Sequence, residues 1–244
     1  MLDAIPVTPG ELGIALFVTL VASTLQATIA FGFSVVSVPI LALINPLLAP
    51  IPQILVLPLI TGSLAIREWS ALDVKGFKWV LVGRFTGTGV GLGLLALASK
   101  RVLDIILAVI VLAAVGALTT LKTVPRTRVT ETVAGLFSGI GSTVSSIGGP
   151  PLAMLYRDAG GGTLRSSLGV IMSIGLAVTI VSLSLSGFIK TDHMIIALCL
   201  APSVLLGLYL SRFLLGRVEG EPLKKGINAV AVIAAIGLLV KALA

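Results

Sequence analysis

The chain has 244 residues, 57% of them hydrophobic and 11% charged, whereas a soluble domain carries roughly a quarter of its residues charged. So little polar surface cannot solvate a globule, and no stretch is left over for a separate soluble domain. A net charge of +7 does not point to nucleic acid either, because Lys and Arg stand singly or in small groups between apolar runs rather than along one polar face.

Apolar runs near the roughly 20 residues that a helix needs to cross a bilayer occur at residues 11–42, 48–66, 77–98, 102–121, 130–155, 164–188, 194–215 and 223–243. Residues 1–10 hold Asp3, two prolines and no positive side chain, unlike the charged start of a cleavable signal, so the first run is expected to be retained. The first and fifth runs differ from the rest. Phe31-Gly32-Phe33-Ser34 leads to Pro39 in one, and Ile147-Gly148-Gly149-Pro150-Pro151 interrupts the other. Proline lacks an N–H and disfavours helix in the residue before it, and glycine is costly in a helix interior, so both segments should break inside the membrane.

The breaks lie about half a chain apart, with matching elements after each, which is the mark of an internal duplication. Gly32 falls opposite Gly148 and Gly91 opposite Gly207, and the polar stretch at residues 122–129, with Pro125, Arg126 and Arg128, reads as the linker. If all eight runs simply crossed, positive residues would split about evenly between the two sides. If the first and fifth enter and return, one side gathers Arg67, Lys75, Lys78, Lys122, Arg126, Arg128, Arg157, Arg165, Arg212, Arg217, Lys224 and Lys225. The other keeps Lys100, Arg101, Lys190 and Lys241. Lys and Arg favour the cytoplasmic side, so the expected architecture is an all-α polytopic membrane protein with both termini outside. It comprises two inverted repeats, residues 1–124 and 125–244, each a broken hairpin helix followed by three transmembrane helices.

A helix that restarts in the membrane offers backbone N–H groups without intrahelical partners, and the helix dipole adds positive potential there. Non-helical backbone at that depth has to line a cavity or be buried in protein. The expected anion site therefore combines Gln26, Thr28, Gly32, Phe33 and Ser34 with Ser145, Ser146, Gly148 and Gly149, near Ser37, Ser142 and Thr143. Its side-chain donors can hold an oxyanion without a charge that would bind it too tightly. Such small residues also let helices pack closely, and that is the preferred reading for Gly83, Gly87 and Gly91, with Gly89 and Gly93 beside them, and for Gly135 and Gly139. Arg84, about two turns inside the third run, either serves the substrate or snorkels to the surface. His193 is expected in a surface loop, Trp69, Trp79 and Tyr156 at the interface, and Cys199 as a small apolar side chain. No nucleophile motif, nucleotide loop or metal-ligand cluster is present in the sequence, so neither catalysis nor a cofactor or metal is expected.

The run Gly135-Leu136-Phe137-Ser138-Gly139-Ile140-Gly141 through Ile147-Gly148-Gly149-Pro150-Pro151-Leu152, with its first-half counterpart ending Val38-Pro39-Ile40-Leu41, resembles the TauE/SafE family of sulfite and organosulfonate exporters. The resemblance implies secondary export of a small oxyanion across the bacterial inner membrane by a protein whose partners are its substrate, the lipid bilayer and, in a homodimer, a second copy. A passive anion channel and a structural membrane subunit are the alternatives. Phe33 and Ser34 stand where that family usually clusters glycines, implying a narrower or less polar first half-site.

Overall fold

The computed structural model describes residues 6–120, 124–156, 158–214, 229, 232–237 and 239–240. No strand occurs among the described residues. In chain order the helices are α1 (Pro9–Ile29), α2 (Phe33–Ile44), α3 (Ile51–Arg67), α4 (Phe77–Leu97), α5 (Lys100–Thr120), α6 (Arg128–Ser145), α7 (Gly149–Leu155), α8 (Gly161–Leu185) and α9 (Thr191–Leu214). Among the described residues, five stretches are long and apolar enough to cross a membrane: α1, α3 with the short 3-10 turn before it, α4, α8 and α9. The run read at residues 223–243 lies largely outside the described residues.

Both expected breaks are present. Between α1 and α2, Ala30 and Gly32 take positive φ angles of 73° and 112°, a region that side chains other than glycine adopt at a cost of about 1–2 kcal/mol. Between α6 and α7, Ser146 takes φ 63°, and the Ile147 N–H bonds back to Gly141 O at 3.0 Å, closing the α6 C-terminus in a Schellman-type cap. The prolines act differently from expectation. Pro39 lies inside α2 without ending it, while Pro150 and Pro151 open α7, where their missing N–H groups fall among the donors that have no intrahelical acceptor.

After each break the chain comes back towards its starting end. Asn45, just past α2, donates through Nδ2 to Glu11 Oε1 at the start of α1 (3.2 Å). Tyr156, just past α7, lies 4.4 Å beneath the Arg126 guanidinium that precedes α6.

Helix directions follow from paired contacts. Gly83 abuts Thr132, Gly87 abuts Leu136 and Gly91 abuts Thr143, so α4 and α6 run side by side in one direction. A Cβ on Gly83 or Gly87 would collide with the α6 backbone, and one on Gly135 or Gly139 would collide with that of α4. These glycines pack helices, as expected. Gly89 and Gly93 have nothing within 4 Å of a would-be Cβ. Gly207 likewise seats α9 against Leu20 and Ser23 of α1. Helices α3 and α8 are antiparallel, since Gly162 lies beside Glu68 while Ser173 Oγ donates to Thr61 Oγ1 at 2.9 Å.

One end of the bundle collects the charges. Arg126 bonds Asp73 and the Lys75 carbonyl and pairs with Glu131 at 3.3 Å, which ties the linker to the loop before α4. Burial raises the Asp73 carboxyl, but the Lys75 N–H and the Arg126 guanidinium outweigh it and hold the group below the usual carboxylate range. Two sequence expectations need correction. His193 is in the first turn of α9 rather than in a loop, buried, with Nδ1 accepting from the Lys190 N–H at 3.2 Å. Tyr156 is 1% exposed rather than interfacial, because Arg126 covers its ring.

Candidate functional site

The two breaks meet. Ser34 Oγ, in the first turn of α2, is 2.9 Å from Ser146 Oγ at the end of α6, and a Cβ on Gly149 would lie 3.1 Å from Phe31 Cβ. Residues 112 positions apart in sequence thus share a buried hydrogen bond, and a small cavity opens beside it. Gln26, Gly32, Ser34, Ser146, Gly148 and Gly149 line this cavity, with Leu57 and Met172 as apolar walls. Its free space of about 10 Å³ is roughly the room of one water molecule.

The remaining residues singled out in the sequence lie around it. Thr28 Oγ1 and Ser145 Oγ donate to the carbonyls of Thr24 and Gly141 on their own helices, at 2.8 and 2.7 Å. Neither hydroxyl proton is then free for a guest. The Phe33 N–H, first donor of α2, bonds Gln26 Oε1 at 3.1 Å, so a neutral carboxamide oxygen occupies the place expected for an anion at a helix N-terminus. In α7 the second and third positions are Pro150 and Pro151, which removes two backbone donors from that end. Ser37 Oγ is buried without a hydrogen-bond partner. Side-chain hydroxyls rather than helix N-termini therefore supply most of the polarity of the cavity.

Arg84 does not reach the surface. It is fully buried in the middle of the bundle, its Nη1 donating to Ser138 Oγ and its Nη2 to Ser142 Oγ at 3.0 Å. Ser138 Oγ in turn donates to Gly148 O at 2.7 Å, which places the guanidinium one hydroxyl behind the cavity wall. Among the described residues no carboxylate pairs with Arg84, and its Nε has no hydrogen-bond partner. A buried cation without a counter-ion among the described residues is costly in a membrane protein, which makes Arg84 a candidate site residue. Sequence reasoning missed Ser138 and Gly175, which together hold this side chain. The helical spacing of Ser138, Ser142 and Ser145 carried a signal for the first; nothing in the sequence marked the second.

At the charged end, two further guanidinium groups approach the last turn of α1. Arg67 Nη2 donates to Ala27 O at 2.8 Å and Arg165 Nη1 to Thr28 O at 3.4 Å. Arg165 also bonds both Glu68 oxygens, at 2.6 and 3.0 Å, and Arg67 lies 3.7 Å from the same carboxylate. Two positive groups share one negative group, directly over the break.

Helices that break and return, polar groups gathered where the breaks meet and an all-helical apolar exterior define the chain as a multi-pass membrane transport protein. The family described as sulfite exporter TauE/SafE matches residues 15–238. That match covers nearly the whole chain, and the chain belongs to this family. No curated protein and no solved structure matches it.

Proposed function

We propose that this protein is a secondary transporter that carries small oxyanions, sulfite or short organosulfonates, outward across the bacterial inner membrane, binding them between the two helix breaks. The observation that carries this reading is Arg84: a guanidinium with no carboxylate partner among the described residues, held by two serines against the backbone of the second break. A passing oxyanion supplies the missing negative charge, and Ser34, Ser146 and Gln26 supply neutral hydrogen bonds. The cavity is too small for a sulfur oxyanion as it stands, so the anion enters only when the breaks separate. This favours a carrier that alternates over a permanently open pore.

The two halves are read as inverted repeats. Support comes from the exchange of equivalent contacts, α4 on α6 matching α9 on α1, and from the antiparallel course of α3 and α8. Orientation rests on the charged end, where the described residues Arg67, Lys75, Lys78, Arg126, Arg128 and Arg165 gather, and which is assigned to the cytoplasm. Both termini are then outside.

The test is a thermal-shift series on purified protein with sulfite, short sulfonates and carboxylates, because a ligand that binds only the folded state raises its stability. Sulfite or a sulfonate should stabilise the wild type and leave Arg84→Met unchanged. Equal shifts in both proteins, or none in either, would remove the site from between the breaks.

A further inference from the structure

A second cavity is larger than the polar one. A space of about 250 Å³ opens between α5, α6 and α7, walled by Ile110, Ala113, Phe137, Ile140, Pro151 and Met154 and almost wholly apolar. Phe137 is 59% exposed, and Val133 and Val129, one and two turns earlier on α6, are 44% and 70% exposed. They form an apolar ridge from the cavity to the start of the helix. The ridge ends at Arg128. There the Arg128 guanidinium lies 5.5 Å and the Lys78 ammonium 5.1 Å from the Trp79 ring centre, and neither cation forms an ion pair among the described residues. From Arg128 to Phe137 is about 13 Å along the helix axis, within the reach of an acyl chain anchored by its headgroup.

We propose that this face holds one anionic phospholipid, its phosphate on Lys78 and Arg128 beside Trp79 and one acyl chain along Val129, Val133 and Phe137 into the cavity. Each part of the molecule meets matching chemistry. Anionic headgroups favour clustered Lys and Arg at the cytoplasmic surface, tryptophan favours the headgroup level, and a cavity open to the bilayer and lined by hydrocarbon excludes water and accepts a chain. Ile147 and Pro150 belong to both the apolar and the polar cavity linings. A chain in the first therefore buttresses the wall of the second.

The chain has two tryptophans, so a Trp69→Phe protein reports on Trp79 alone. It is reconstituted in phosphatidylcholine vesicles containing either phosphatidylglycerol or phosphatidylcholine brominated near the headgroup end of its chains. Brominated phosphatidylglycerol should quench Trp79 more strongly at equal content. Arg128→Gln should reduce that preference roughly fivefold, the effect of one basic residue at an anionic surface. Ala113→Phe, which fills the cavity and leaves the cationic pair intact, should lower the anionic phospholipid retained through detergent purification, as read by mass spectrometry. Equal quenching by the two lipids, or an unchanged preference in Arg128→Gln, overturns the proposal. So does rapid disulfide cross-linking between copies through Phe137→Cys, which would give this face to a second copy of the chain.

Discussion

Gly175 of α8 is a glycine because Arg84 of α4 fills the space its Cβ would need: a methyl group there would overlap the guanidinium at Nε. The side chain at the centre of the proposed site is thus positioned from two directions, by the serines of α6 in front and by bare backbone of α8 behind.

Gly175→Ala should therefore behave as an Arg84 mutant without touching the charge. The displaced guanidinium loses its bonds to Ser138 and Ser142, and sulfite flux into proteoliposomes should fall about tenfold, equivalent to 1.4 kcal/mol, with the protein still inserted. Arg84→Lys keeps the charge but cannot bridge both serines with one fork, so its flux should lie between that of wild type and that of Arg84→Met. Wild-type flux in Gly175→Ala would mean that Arg84 acts only as a packing element.

The glycines of α4 divide into two groups with opposite expected outcomes. Gly87→Ala forces a methyl into the Leu136 backbone of α6 and should destabilise by about 1–3 kcal/mol, the usual cost of overpacking. Gly89→Ala and Gly93→Ala meet open space and should be neutral or gain up to about 1 kcal/mol from helix propensity. Thermal unfolding in detergent separates the groups, and equal losses at Gly87 and Gly89 would contradict the packing of α4 on α6.

The break positions were legible in the sequence because glycine and proline act through the local backbone: Gly32 takes a positive φ and the Pro150-Pro151 pair opens α7, whereas Gly148 is required by the close approach of Ser142. The chemistry of the breaks was less so. Gln26 turns back to cap the Phe33 N–H, and the prolines strip donors from α7, so the backbone amides expected at an interrupted helix are partly spent or missing. The position of Arg84 inside a helix was visible, but whether it snorkelled depended on a serine and a glycine in two other helices. His193 and Tyr156 were misplaced for a related reason: burial at a helix end is decided by what lies against it, and neither Lys190, whose N–H bonds His193, nor Arg126, which covers Tyr156, announces that role.

Across the breaks, the Ser34–Ser146 hydrogen bond gives a coupling that can be measured. Ser34→Ala and Ser146→Ala each remove it, and the double mutant should cost less than the sum of the two by about 1 kcal/mol, the net value of a neutral hydrogen bond. Stability from denaturation in detergent provides the cycle. Strict additivity would show that the two serines do not interact in the resting protein.

Asp73 provides a pH signature outside the membrane. Its carboxyl is held below the ordinary range in the folded protein, so it stabilises above the unfolded value near 3.9. That contribution is lost as pH falls through the lower folded value. Because its side chain is 35% exposed, the contribution is modest, about 1 kcal/mol. Asp73→Asn should lower stability by that amount at neutral pH and converge with wild type in strong acid. A constant gap between the two curves would assign the loss to the hydrogen bond rather than to the charge.

Over the first break, Glu68 is, among the described residues, the only carboxylate paired with both Arg67 and Arg165, and through them α3 and α8 are pinned to the last carbonyls of α1. On the proposed mechanism, opening the cavity towards the charged end would require those guanidinium groups to leave Ala27 and Thr28, where their pairing with Glu68 holds them. Glu68→Gln retains a hydrogen-bond acceptor but removes the charge, leaving two partly buried cations to repel each other near the α1 terminus. In inverted vesicles, which expose the charged end if it is cytoplasmic, Ser34→Cys should then react with a membrane-impermeant maleimide several-fold faster on the Glu68→Gln background. Glu68→Ala should act in the same direction and more strongly, because it removes the acceptor as well. An unchanged labelling rate in both backgrounds would show that this cluster stabilises the fold without guarding the route to the breaks.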